Sequence, residues 1–152
     1  MSDHPSDHPT DRPSDRPTAS VGDALPELVV DRVDAEKMKT MALLLRDPNP
    51  IHWDVETVRS LGMGDRPVNQ GPNNMAYLVD MLARYAGGND RVRGLRVRFL
   101  ANVFAGDRLV AGGRVTGVDD SMGELTCEVW LRRDGREDDL VMAGEARVRL
   151  GA

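Results

Sequence analysis

An aspartate and a histidine stand five positions apart in this chain, at Asp47 and His52, with Pro48 and Pro50 between them. Each proline fixes its own φ and disfavours helix at the residue before it, so the segment is predicted to be a stiff, non-helical turn. Such a turn can hold a carboxylate and an imidazole at a fixed separation, which suits general acid–base chemistry on one water molecule. The alternative is a structural turn that hydrogen-bonds only its own backbone before the next helix.

Histidine is scarce in this chain, which has only three. His4 and His8 lie in a low-complexity repeat, so His52 is the one histidine of the predicted globular part. Because His and Asp neighbours are often structural, the spacing alone leaves both interpretations of the turn open.

The run from Asp47 to His52 resembles the hydratase-2 signature of the MaoC-like hydratases and dehydratases, Asp-x-Asn-Pro-(Ile/Leu/Val)-His. The resemblance implies an α+β hot-dog fold, in which an antiparallel β-sheet wraps around a long central α-helix. It also implies that Asp47 and His52 are catalytic and act on a trans-2-enoyl thioester, with Asn49 as a candidate substrate-binding residue. Arg46 stands where the longer family pattern has a glycine, and Val58 stands where it has a small residue.

A second polar stretch, residues 68–72, precedes a predicted long amphipathic helix, because Pro72 suits a first helical position and Gly71 a cap. Free N–H groups at a helix N-terminus can stabilise a developing oxyanion. In the resembled family a glycine at this point donates its N–H to the thioester carbonyl, and Gly71 matches it as the third catalytic residue. Simple capping of a buried helix is the alternative. Three neighbouring amides are candidate substrate-binding residues: Gln70, Asn73 and Asn74.

The remainder of the chain reads mainly as strands. Asp34 is predicted to cap a first helix after a strand at 28–33, and four alternating segments follow the long helix, at 92–103, 108–118, 124–132 and 140–150. Residues 97–107 resemble another element of the same family, with Asn102 in place of a proline. Arg98 in this element is a candidate contact for a thioester phosphate, and a solvated charge on the sheet is the alternative.

Length and composition indicate one domain with an ordinary core: 152 residues, 40% of them hydrophobic and 30% charged. Residues 1–24 are predicted to be a disordered tail, because residues 2–17 repeat (Ser/Thr)-Asp-(His/Arg)-Pro four times without an apolar side chain. A weak metal-binding tract at His4 and His8 is the alternative use of the repeat. Residues 25–152 are predicted to form the MaoC-like hot-dog domain.

Several partners and sites are not expected for this chain. A net charge of −5 without a basic patch argues against nucleic acid as a partner. The sequence has no apolar run of the length of a membrane span and no signal-peptide core, so no membrane partner and a cytoplasmic location are predicted. The single cysteine, Cys127, excludes an intrachain disulfide and a Cys-rich metal site. We expect no metal and no redox cofactor.

The resemblance therefore predicts a hydro-lyase that adds water to a trans-2-enoyl thioester, or removes it, in fatty-acid or steroid side-chain metabolism. Coenzyme A or acyl carrier protein enters only as part of the substrate. Two alternatives remain: a hot-dog acyl-CoA thioesterase, and a thioester-binding subunit of a heteromeric hydratase. As partners, the resemblance implies an acyl thioester and either a second copy of the chain or another hot-dog chain.

Overall fold

The computed structural model describes residues 18–151. The whole N-terminal repeat, including His4 and His8, lies outside this range, so its disorder and its weak metal binding stay predictions. Five strands form one antiparallel sheet in the order β1-β3-β4-β5-β2. Their bounds are β1 Leu28–Val30, β2 Val92–Phe99, β3 Leu109–Asp119, β4 Glu124–Arg133 and β5 Leu140–Arg149.

One long helix, α3, packs against this sheet, and two shorter helices precede it along the chain. Their bounds are α1 Ala35–Leu45, α2 Val55–Ser60 and α3 Gly71–Ala86. A 3-10 helix, Pro50–His52, lies between α1 and α2. The arrangement confirms the predicted α+β class, with an antiparallel sheet and a single long helix.

Local signals in the sequence explain most of the helix boundaries. Asp34 accepts a hydrogen bond from the Glu36 N–H at 2.9 Å, which confirms the predicted cap of α1. Gly87 ends α3 in the left-handed region, at φ 87°. The start of α3 differs by one residue from the prediction: Gly71 is already helical, and Gln70 occupies the cap position without a capping hydrogen bond from its side chain.

The end of the predicted tail also contributes to the sheet. The Gly22 N–H donates to the Val115 carbonyl at 2.8 Å, and Ala24 pairs with Arg114. Strand β2, predicted to continue to residue 103, ends at Phe99.

The core lies between α3 and the inner face of the sheet. It contains Leu78, Met81 and Leu82 from α3, and alternate residues of β4: Leu125, Cys127, Val129 and Leu131. Burial raises the pKa of the Cys127 thiol to about 11, so this thiol is poorly reactive in the folded protein. In the described part of the chain, the helices are too short or too polar to cross a bilayer.

The end of α1 fixes the approach to the Asp47 turn. Arg46 lies in the left-handed region with φ 52°, and the Asp47 N–H donates to the Ala42 carbonyl at 2.9 Å. These two features form a Schellman motif, in which a glycine is normally favoured because a Cβ atom is strained there. The geometry therefore gives a physical reason for glycine at this position in the resembled family.

Arg46→Gly is expected to raise the free energy of unfolding by about 0.5–1 kcal/mol, because the left-handed strain is relieved. Urea denaturation measures this change. Lys39→Gly, in the middle of α1, is the control and should lower stability by about 1 kcal/mol. A loss of stability in Arg46→Gly would contradict the expected relief of strain.

Candidate active site

The turn after α1 is held by two hydrogen bonds, each from a backbone N–H to a side chain two residues earlier. One oxygen of Asp47, Oδ1, accepts from the Asn49 N–H at 3.0 Å, and Asn49 Oδ1 accepts from the Ile51 N–H at 3.3 Å. The Asn49 side chain thus caps the 3-10 helix, in which Pro50 is the first residue. The turn fixes the direction of the Asp47 carboxylate and leaves its second oxygen free for another partner.

That second oxygen faces the imidazole of His52. Asp47 Oδ2 lies 3.2 Å from His52 Nε2. The His52 side chain is only 9% exposed, whereas the Asp47 side chain is 30% exposed. The two groups therefore form a pair in which the imidazole is inside and the carboxylate reaches solvent, so that a water molecule can approach both.

The other ring nitrogen of His52 is bound to the backbone. His52 Nδ1 lies 2.6 Å from the carbonyl oxygen of Val68. A carbonyl oxygen only accepts hydrogen bonds, so Nδ1 must carry the hydrogen. Nε2 is then the nitrogen that takes or releases a proton, and it is the nitrogen that faces Asp47.

Gly71 lies three residues after Val68, as the first residue of α3. The first N–H groups of a helix have no intrahelical acceptor, and the Gly71 N–H finds none elsewhere within residues 18–151. Pro72 carries no N–H, so the Gly71 donor has no competitor at the next position. The helix end thus offers a donor close in sequence to the carbonyl that binds His52.

The ring of Phe99 lies directly against Gly71. A Cβ atom at Gly71 would be 3.1 Å from Phe99 Cζ and 3.2 Å from Cε1. Phe99 is the last residue of β2 and is 53% exposed. One end of the ring therefore flanks the candidate oxyanion donor, while the rest faces solvent.

Gly71→Ala is expected to lower turnover by up to about 10²-fold, because the new methyl group displaces either the ring or the N–H of residue 71. The double variant Gly71→Ala/Phe99→Ala should recover much of this loss, since it removes the ring that the methyl group meets. Steady-state kinetics on both variants and on Phe99→Ala alone measures the effect. A double variant as slow as Gly71→Ala would show that the glycine is required for another reason.

The side chains of the candidate amides around Gly71 are hydrogen-bonded within the protein: Gln70 to Asn73, and Asn74 to Asn69. Gln70 and Asn74 are buried, and Asn73 is partly buried. Asn73 Nδ2 donates to Gln70 Oε1 at 3.0 Å, and Gln70 Nε2 donates to the Met38 carbonyl at 2.8 Å. The structure brings these residues close to Gly71, but it ties their side chains into a network within the protein.

Arg98 is the one candidate residue that the structure does not bring to this site. Side chains alternate along a strand, so Arg98 lies on the opposite face of β2 from Phe99, whose ring contacts Gly71. Arg98 is exposed there. Residues 68–72 and 97–107 stand out in the sequence, but sequence reasoning did not predict Val68, Asn69 or Phe99 as site residues. Val68 acts through its backbone, and the contacts of Asn69 and Phe99 depend on the fold.

Two further polar features lie away from the pair. Buried Asp107 accepts from Arg66 at 2.7 Å, from Arg133 at 2.9 Å and from the Phe104 N–H at 3.0 Å. A surface depression of about 830 Å³ beside the β3–β4 turn is lined by none of the candidate residues. Among the described residues, no group of three or more His, Cys, Asp or Glu could hold a metal ion.

Solved structures of other proteins share this architecture. The (R)-hydratase from A. caviae involved in PHA biosynthesis is 25% identical, with a TM-score of 0.77, over 88% of this chain and 98% of that chain. The R-hydratase PhaJ1 from Pseudomonas aeruginosa is 19% identical, with a TM-score of 0.73, over 88% and 84% of the two chains. The ChsH1-ChsH2 complex from Mycobacterium tuberculosis is 21% identical, with a TM-score of 0.75, over 88% and 100%.

These likenesses identify the fold as the hot-dog fold. No curated protein sequence matches the chain. The family described as "MaoC like domain" matches residues 7–131, which is most of the 152 residues. The chain therefore belongs to the MaoC-like hydratase and dehydratase family.

Proposed function

We propose that this chain is an enoyl-thioester hydratase that uses Asp47 and His52 to activate one water molecule. The observation that carries this proposal is the 3.2 Å approach of His52 Nε2 to Asp47 Oδ2, with Nδ1 held by the Val68 carbonyl. Nδ1 is thereby fixed as a donor, and both proton-exchanging atoms face one small region. That arrangement suits a water molecule that must lose a proton as it attacks.

In the proposed reaction the Asp47–His52 pair transfers the proton and Gly71 binds the thioester oxygen. The water oxygen bonds to the β-carbon of the trans-2-enoyl thioester, and one of its protons passes to the Asp47–His52 pair. Electron density moves to the thioester oxygen, where the Gly71 N–H stabilises the enolate-like charge. The pair then returns one proton to the α-carbon, which completes hydration, and dehydration is the reverse. Coenzyme A or acyl carrier protein is only the thioester carrier.

Incubation with a trans-2-enoyl-CoA tests the proposal. We expect the enoyl absorbance to decay without release of free thiol. Release of free thiol at the rate of enoyl loss would instead identify a thioesterase, and no reaction beside measurable binding would identify a thioester-binding subunit. The buried Cys127 should add little to the thiol signal while the protein is folded.

The thioesterase alternative needs a carboxylate on or beside the central helix. Asp80 is the one acid within α3. Its two oxygens accept from Arg84 at 3.0 and 2.9 Å on the exposed surface of the helix. This pairing favours the hydratase.

The acyl group is proposed to belong to fatty-acid or steroid side-chain metabolism, and a substrate series can separate the two. A linear enoyl-CoA and a ring-bearing enoyl-CoA compared by kcat/KM would rank them directly. Higher kcat/KM for the linear compound would assign the chain to fatty-acid substrates, and the reverse ranking to steroid side chains.

We also propose that the chain works as a homodimer or beside another hot-dog chain. Among residues 18–151, β2 is hydrogen-bonded to a strand on one side only, and an unpaired strand edge is a natural surface for association. Leu43, Leu44 and Leu100 are exposed in the isolated chain. Light scattering of the purified protein should give twice the chain mass of 16.7 kDa. A monomer mass would exclude self-pairing and leave the heteromer.

A further inference from the structure

The short segment 68–71 contributes to both halves of the proposed site. The carbonyl of Val68 at one end binds His52 Nδ1, and the N–H of Gly71 at the other end is the proposed donor to the thioester. The distance between the water-activating pair and the oxyanion donor therefore depends on how rigidly this segment is held.

Asn69 makes three hydrogen bonds in the middle of the segment. Its N–H donates to the Val103 carbonyl at 2.7 Å, and its Nδ2 donates to Asn74 Oδ1 at 2.7 Å. Its Oδ1 accepts from Asn73 Nδ2 at 3.1 Å. The residue is only 4% exposed, so these bonds are shielded from water, and breaking one would leave a buried polar group unpaired.

Neighbouring bonds tie the same segment to other elements. The Val68 N–H donates to the Ile51 carbonyl at 2.9 Å, which links the segment to the His52 turn. Gln70 reaches back to Met38 of α1 at 2.8 Å. The side chains of Asn69 and Gln70 both join the segment to the first turn of α3. Of the two, Asn69 directly follows the carbonyl that binds His52.

We propose that Asn69 is a positioning residue. It fixes the distance between the Val68 carbonyl and the Gly71 N–H, so that His52 and the oxyanion donor act on the same substrate. This inference rests on the proposed hydratase function. Asn69 does not contact the reacting atoms in this scheme. Its amide nitrogen donates to Asn74 and its amide oxygen accepts from Asn73, and it acts through the backbone on either side of it.

Asn69→Ala is expected to lower kcat for hydration by about 10- to 100-fold with little change in KM, because misplacement of the catalytic groups mainly raises the barrier to reaction. Asn74→Ala removes the same hydrogen bond from the helix side and should lower kcat in the same direction. The double variant should be little worse than Asn69→Ala, because Asn69→Ala already breaks the hydrogen bond that Asn74→Ala removes. Asn74→Ala also keeps the test available if Asn69→Ala does not fold.

Val148→Ala is the matched control for stability alone. Val148 is fully buried in β5 and is not a candidate site residue. This variant loses core packing but should retain wild-type kcat at a temperature where all variants are folded. Equal kcat values in Asn69→Ala and Val148→Ala would overturn the proposal.

A spectroscopic measurement separates this inference from the hydratase proposal itself. With His4→Gln and His8→Gln as background, His52 is the only histidine left for ¹⁵N NMR. The wild-type ring should carry its hydrogen on Nδ1, and Asn69→Ala should show a second tautomer or broadened ring signals. Unchanged His52 signals would overturn the positioning role. An inactive wild-type protein would refute only the hydratase, since the NMR result does not require turnover.

Discussion

Asp47→Asn and His52→Gln are each expected to lower kcat for hydration by about 10²–10⁴-fold, the usual contribution of a positioned acid–base group. The amide replacements keep the shape of each side chain but remove its proton-exchanging atom, so both variants should fold. KM should change little, because both variants keep Gly71, whose N–H is the proposed donor to the thioester oxygen. Steady-state kinetics with an enoyl-CoA, together with circular dichroism of each variant, measures both expectations.

The double variant Asp47→Asn/His52→Gln tests whether the two residues act as one unit. Its kcat should be close to that of the slower single variant, because residues that share one task are not additive. Asp54→Asn is the matched control: the Asp54 carboxylate accepts only from the Glu56 N–H and the Thr57 hydroxyl in the first turn of α2, and asparagine caps a helix equally well. Near wild-type hydration by either single variant would refute the assignment, and so would effects that multiply in the double variant.

Asp107→Ala is expected to lower the free energy of unfolding by about 3 kcal/mol, because it removes a buried carboxylate that accepts from two arginines and one backbone N–H. Arg133, whose side chain is 23% exposed, would keep only Asp139 as its acidic partner. Thermal denaturation should show a decrease in Tm of roughly 6–12 °C for a domain of this size.

Asp31→Ala is the matched control for that experiment. The Asp31 side chain is 93% exposed, and its nearest contact to Arg108 is 3.9 Å, so its removal should leave stability nearly unchanged. Equal Tm values for Asp107→Ala and Asp31→Ala would show that the buried cluster contributes no more than a surface pair.

The order of elements could be predicted because local signals agree with it. Asp34 caps α1, Gly87 ends α3, and alternating apolar residues mark the four long strands. The proximity of Asp47 and His52 could also be predicted, because prolines constrain the short turn between them.

The second partner of His52 could not be predicted in the same way. Val68 lies sixteen positions from His52 and contributes a backbone carbonyl, which every residue type possesses. The hydrogen-bond partners of the polar residues at the start of α3 could not be predicted either. Asn73 and Asn74 read as free amides in the sequence, but their hydrogen bonds to Asn69 depend on the helix phase and on how the loop approaches it.

The Schellman end of α1 has a consequence for how catalysis depends on assembly. The Asp47 N–H is hydrogen-bonded to the last turn of α1, and this helix buries only Met38 and Ala42. Leu43 and Leu44 in the same turn are 80% and 73% exposed. Helix ends with few buried contacts open most readily. A neighbouring subunit that covers these leucines would stabilise the end of α1 and so restrict the motion of the Asp47 carboxylate. Specific activity should then fall on dilution, before any loss of global fold.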